Sequence, residues 1–188
     1  MQDLVRAMFE ESIETRRRSI ALAGVIAETG RVLVDALNAG RKILVCGNGG
    51  SAADAQHFAA ELVGRFEHER RAWPCLALTT DTSILTAWPN DYSFETVFAR
   101  QVSALGQPGD VLVGISTSGN SPNVLAAMEE AERRRMQRIV LSGRGGGKLA
   151  ALPGLHQVIV PADRTAMIQE VHIGVIHAWS ALIDQACK

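Results

Sequence analysis

At 188 residues, with 47% hydrophobic and 21% charged side chains, the chain suits one domain with a full core; its composition excludes a disordered or fibrous protein. A formal net charge of −1 gives no general attraction for nucleic acid or for an acidic membrane surface, and neither is expected as a partner.

Residues 3–39 read as two helices with Leu, Ile, Val and Ala at helical spacing, an arm expected to lie on the core or on a second subunit. From residue 40 strand and helix signals alternate. Residues 42–46 read as a strand, 51–64 as a helix and 75–79 as a strand, followed by short helical stretches near 83–87 and 94–105. A strand at 111–116, a helix at 123–135, strands at 138–141 and 157–160, and a long apolar helix at 165–186 complete the chain. The basic run Arg133-Arg134-Arg135 reads as a solvated helix end, where cations complement the dipole. Short strands separated by helices predict an α/β domain: a five-stranded parallel sheet flanked by helices, with residues 1–39 as its helical arm and 40–188 as its core.

Cys46, Cys75 and Cys187 are an odd number with no paired spacing; Cys46 and Cys75 lie in apolar strand patterns and are expected to be buried free thiols in a reducing compartment. The first residues carry no signal-peptide pattern and no apolar run reads as a membrane span, so the expected location is cytoplasmic.

The richest stretch follows the third strand. Ser116, Thr117, Ser118 and Ser121, with Gly119 and Asn120, gather where a strand feeds a helix that opens on Pro122, a residue suited to the first helical position. Free N–H groups and the positive helix end make such a turn an anion site, and hydroxyls without a Lys suit a sugar phosphate. The plain alternative is a Ser or Thr capping a helix. The turn after the first strand, Gly47-Asn48-Gly49-Gly50-Ser51-Ala52, fits the G-x-G-x-x-A dinucleotide fingerprint, with Asp81 as a candidate ribose-binding acid. A nicotinamide enzyme is therefore a rival reading, although it leaves the second turn unexplained.

His57 and Glu61 stand four apart on the 51–64 helix, hence on one face, where they could share a metal ion, act as an acid–base pair or form a surface contact. The last helix carries Gln169, Glu170, His172 and His177 among apolar residues, and such polar groups need partners. His172 falls on a different face from His177, and Gln169 lies about 12 Å along the axis from His177, so the two could reach one ion only with side chains bent toward each other or with help from another chain. Asn90-Asp91 reads as ordinary turn chemistry.

Gly47-Asn-Gly-Gly-Ser51, His57-Phe-Ala-Ala-Glu61, Asn90-Asp91, Ser116-Thr-Ser-Gly-Asn-Ser121 and Ile168-Gln-Glu-Val-His172 with His177 occur in one order, and together they resemble the sugar isomerase (SIS) family, in its branch acting on sedoheptulose 7-phosphate. The resemblance implies the SIS fold, a flavodoxin-like doubly wound sheet. It also implies conversion of this ketose to the aldose D-glycero-D-manno-heptose 7-phosphate through an enediol, for lipopolysaccharide or capsule. It assigns zinc to His57, Glu61, Gln169 and His177, with Glu61 as catalytic base and His177 as its acid/base partner. Substrate contacts fall on Asn48, Gly49, Gly50, Ser51, Glu61, Asn90, Asp91, Ser116, Thr117, Ser118, Ser121 and Gln169. A homotetramer with sites at subunit interfaces is implied too. The chain departs from the family pattern at Met167, where Arg is usual and a polar contact near the site would be weakened, and at Gly145, where Asp is usual. A non-catalytic relative that associates with the bacterial replication initiator is the alternative; Glu61 favours the enzyme.

Overall fold

The computed structural model describes residues 1–186, so Cys187 lies outside the described residues. Helices α1 (Gln2–Ser19) and α2 (Ala23–Asn38), joined through a 3-10 turn at Ile20–Leu22, form the expected arm. The core then runs β1 (Ile43–Gly47), α3 (Gly50–Val63), β2 (Cys75–Ala77), α4 (Thr82–Asp91), α5 (Val97–Leu105), β3 (Val111–Ser116) and α6 (Pro122–Arg133). It closes with β4 (Gln137–Ser142), a short α7 (Gly147–Ala150), β5 (His156–Ile159) and α8 (Thr165–Ala186).

Every strand pairing is parallel and the order is β2-β1-β3-β4-β5 among the described residues. β1 and β3 are buried at every position, as a sheet covered on both faces requires. Strand alternation divides their side chains between two cores. Ile43, Val45, Val113 and Ile115 meet Phe58 of α3, Leu33 and Leu37 of α2, and Trp179 of α8. Leu44, Cys46 and Leu112 face Phe98 of α5 and Met128 of α6. Burying each such Leu, Ile or Phe contributes about 1.5–3 kcal/mol. α2 locks to α8 where Trp179 Nε1 donates to Thr29 Oγ1 at 3.0 Å and to the Ile26 carbonyl at 3.2 Å.

Several expectations change in detail. β2 stops at Ala77 because it pairs with β1 only over Ile43–Val45, at the sheet edge. Asn90 and Asp91 belong to the last turn of α4, which contains Pro89, rather than to a turn. The Arg cluster is no purely solvated helix end. Arg133 Nε and Arg134 Nε donate to Glu130 at 2.8 and 3.1 Å, and Arg134 also donates to Ser103. α8 is long and apolar enough to cross a membrane, contrary to the sequence expectation; half of its most apolar window is buried against the protein itself. Cys46 is fully buried, which pushes its thiol up to about 12, and burial raises Cys75 as well.

Candidate active site

β1 and β3 are neighbours whose following helices leave in different directions, the switch point at which such folds bind ligands beyond the strand ends. After β1, Asn48-Gly49-Gly50 open α3. Gly49 takes φ +58° and no side chain caps the helix; Ser51 N and Ala52 N donate instead to the Asn48 and Gly49 carbonyls, each at 3.0 Å. Gly47 keeps the turn tight, since a Cβ there would stand 2.7 Å from the Ser51 carbonyl oxygen. Ser51 itself is buried.

After β3, the plain capping alternative is not what is seen. Ser121 is the N-cap of α6, yet its hydroxyl reaches no helix N–H and lies 2.9 Å from Ser116 Oγ. Ser118 Oγ accepts from Asn120 N at 3.2 Å. Thr117 and Ser118 are half-buried, and Gly119 bends the turn with φ +65°. A Cβ at Gly119 would lie 1.9 Å from the Gly146 carbonyl oxygen, and Leu149 N donates to the Gly119 carbonyl at 2.9 Å. Residues 145–147 thus brace the hydroxyl turn from behind. A Cβ at Gly145 would meet nothing within 4 Å, but the residue takes φ +70°, a conformation that glycine adopts more readily than the Asp of the family pattern. The two switch-point turns are clasped together by a reciprocal amide pair: Asn48 Nδ2 donates to Asn123 Oδ1 at 2.8 Å, and Asn123 Nδ2 to Asn48 Oδ1 at 2.9 Å. The Asn48 side chain is therefore engaged with a buried residue, Asn123, that the motif reading did not single out.

One turn further along α3 stand His57 and Glu61. His57 Nε2 lies 3.1 Å from Glu61 Oε1 and 3.0 Å from His177 Nε2 of α8. The ligand atoms of His57, Glu61 and His177 all fall within 4.8 Å of one another. Three electron-pair donors turned toward one point are what a cation satisfies, and two imidazoles with a carboxylate suit zinc. Three of the four expected ligands therefore converge within one chain, and no partner is needed to assemble them. Gln169 reaches the same end of the sheet. A Cβ at Gly50 would collide with its amide, whose nitrogen lies 2.2 Å from that position, so Gln169 rests on the first turn.

Asn90 Nδ2 donates to Asp91 Oδ1 at 2.8 Å on the exposed end of α4, with no contact described to the other candidates. Met167 is buried in the core, so an apolar side chain fits where the family pattern has Arg. His172 is a core residue: its Nε2 donates to the Ser142 carbonyl at 3.2 Å on the β4 side of α8. Asp81 accepts from Ile84 N at 2.9 Å as the N-cap of α4, which engages the acid that the nicotinamide reading needed for a ribose.

Further residues emerge from the structure. Asp54, three residues before His57, has a buried Oδ2 without a hydrogen-bond partner; burial pushes its carboxyl up to about 6, against the pull of His57. Its spacing was visible in the sequence. Phe66 stacks on His177 with ring centroids 5.6 Å apart, a contact no spacing could have foretold.

A family model for the SIS domain matches residues 5–143. The phosphoheptose isomerase of Campylobacter jejuni is 54% identical over 98% of this chain and 99% of its own. The structure of the Neisseria gonorrhoeae phosphoheptose isomerase superposes with a TM-score of 0.93 at 50% identity, covering 98% of each chain. That of a Francisella tularensis phosphoheptose isomerase gives 0.95 at 42% identity, again over 98% of both. With a sheet order, a pair of switch-point turns and full-length similarity in agreement, the chain belongs to the SIS-domain family and, within it, to the phosphoheptose isomerases.

Proposed function

We propose that the chain isomerises sedoheptulose 7-phosphate to D-glycero-D-manno-heptose 7-phosphate, a step toward the heptose of lipopolysaccharide or capsule in the cytoplasm. The observation that carries this reading is the meeting of Glu61 and His57 on α3 with His177 on α8, at the end of the sheet where the Gly-rich turn after β1 and the hydroxyl-rich turn after β3 open.

Ketose–aldose exchange moves a proton between adjacent carbons and another between their oxygens, so it needs a carboxylate near C1 and C2 and a group that protonates and deprotonates oxygen. Glu61 takes the first role and His177 the second. The terminal phosphate sits in the turn of Ser116, Thr117, Ser118 and Ser121 at the start of α6. Asn48, Gly49, Gly50 and Ser51, with Gln169 against them, are assigned to the hydroxyl-bearing chain; the family pattern adds Asn90 and Asp91, which stand on the exposed end of α4. Zinc, one per subunit, would be held by His57, Glu61 and His177 with Gln169 as fourth ligand. When bound it would polarise the substrate carbonyl.

Assembly is proposed as a homotetramer. Val5, Phe9 and Ile13 recur every four residues on α1 and, with Leu4 and Ile20, remain exposed; an apolar stripe of this kind marks an interface.

Replacing Glu61 by Gln keeps the shape and removes the base. Turnover should fall by at least about 100-fold with KM little changed, as expected when a group acts in the transition state. Near-normal kcat in that variant would remove Glu61 from its role.

A further inference from the structure

The segment between α3 and β2, residues 64–74, contains no regular element, yet it is tied down at both catalytic helices. Asp184 lies seven residues after His177 on α8, two turns along and therefore on the same face. Its Oδ2 accepts the backbone N–H of Glu67 at 3.0 Å and of His68 at 3.2 Å, and its Oδ1 accepts from Arg70 Nε at 2.6 Å. The pair is nearly sealed from water, with side-chain exposures of 5% for Arg70 and 1% for Asp184. The rest of the Arg70 guanidinium turns to α3. Nη2 donates to the Glu61 carbonyl at 2.6 Å and Nη1 to the Leu62 carbonyl at 2.9 Å. These are carbonyls of the last helical turn, which lack helical partners and favour a cation. Arg70 thus holds the backbone of Glu61 itself, while Asp184 holds the face of α8 that carries His177. Between the two grips, Phe66 lies on the His177 ring at 5.6 Å and 27°.

We propose that residues 64–72 form a strap that sets the separation and ring orientation of the Glu61–His177 pair, with Arg70, Asp184 and Phe66 as positioning residues. This rests on the isomerase reading for its catalytic consequence, though the strap itself is visible without it. A buried, hydrogen-bonded ion pair that bridges two helices fixes a single geometry, and a side chain displaced by about 1 Å from productive geometry can cost about 100-fold in rate. A loop that served stability alone would not need to reach the Glu61 carbonyl or to cover one imidazole.

The test compares Asp184→Asn and Phe66→Leu with the wild-type protein. The second variant alters a half-buried side chain outside the core and keeps the test decisive if the first fails to fold. Three quantities are read: kcat and KM on sedoheptulose 7-phosphate, the ring-proton resonances of His177, and the affinity for zinc alone by titration calorimetry. Both variants should shift the His177 resonances, because the stacked ring is removed or released. Both should lower kcat at least fivefold with KM within twofold, and weaken zinc binding. Unchanged kcat in a folded variant of an active wild-type enzyme overturns the proposal. If the wild-type protein turns over no sedoheptulose 7-phosphate, the isomerase reading falls. The strap is then judged on the His177 resonances and zinc affinity, and unchanged values there overturn it too.

Discussion

His172 and His177 stand five residues apart on one helix and have opposite fates. His177 projects beside α3 and meets His57, whereas His172 turns inward to the Ser142 carbonyl and is fully buried. Burial, only partly offset by that hydrogen bond, pushes His172 down to about 4, while an unfolded chain would titrate near its ordinary 6.5. The unfolded state therefore binds the proton first as pH falls, and the stability present above 6.5 is lost progressively toward 4, by about 3 kcal/mol in all. His172→Gln keeps an N–H for Ser142 and removes the titration. Urea midpoints at pH 7.5 and 4.5 should lie closer together in that variant than in the wild type; an equal gap would assign the acid sensitivity elsewhere. The sequence carried part of this. Helical periodicity separates the two faces and puts His57 and Glu61 on one face, because both facts are local. That His177 meets them depends on how α8 crosses α3, and only the family resemblance anticipated it. Phe66 and Asp184 lie in patterns with no local signal, so their part in the site became visible only from the fold.

The elements followed their residues closely where one physical cause dominated. β1 and β3 read as apolar runs because both of their faces are covered, and both appear near the expected bounds. The reading weakened where several causes compete: α4 carries Pro89 inside it, and edge strand β2 shortened to three residues. The turn after β3 is more constrained than its hydroxyls alone suggested, since Gly119 takes φ +65° and leaves no room for a Cβ beside the Gly146 carbonyl. A side chain at 119 must move the brace behind the hydroxyl turn. Gly119→Ala should cost about 1–3 kcal/mol of stability from the backbone strain alone. It should also raise KM for sedoheptulose 7-phosphate by about tenfold, with a smaller change in kcat, because it disturbs contacts equal in ground and transition states. Steady-state kinetics decide the matter, and an unchanged KM would place the phosphate elsewhere.

At the scale of the whole molecule, the sheet order sets where chemistry can occur. With β1 and β3 adjacent, both Gly- and Ser-rich turns open at one edge, and α3 and α8 deliver the imidazoles and the carboxylate beside them. The arm has a different duty. One face of α1 is tied to α8, where Arg16 donates to the Glu170 carbonyl at 2.9 Å and Ser12 to the Glu170 carboxylate, while the stripe of Val5, Phe9 and Ile13 faces outward. The double variant Phe9→Asp with Ile13→Asp should convert a species with the mass of four chains into smaller ones, measured by light scattering after size exclusion. An unaltered mass would exclude α1 from the interface. The central claim is the reaction itself, and it is tested most directly by incubating the purified, zinc-supplemented protein with sedoheptulose 7-phosphate and following the mixture by proton NMR. The account predicts growth of the anomeric signals of D-glycero-D-manno-heptose 7-phosphate at the expense of the ketose until equilibrium. A folded, zinc-replete protein that leaves the ketose unchanged would contradict it.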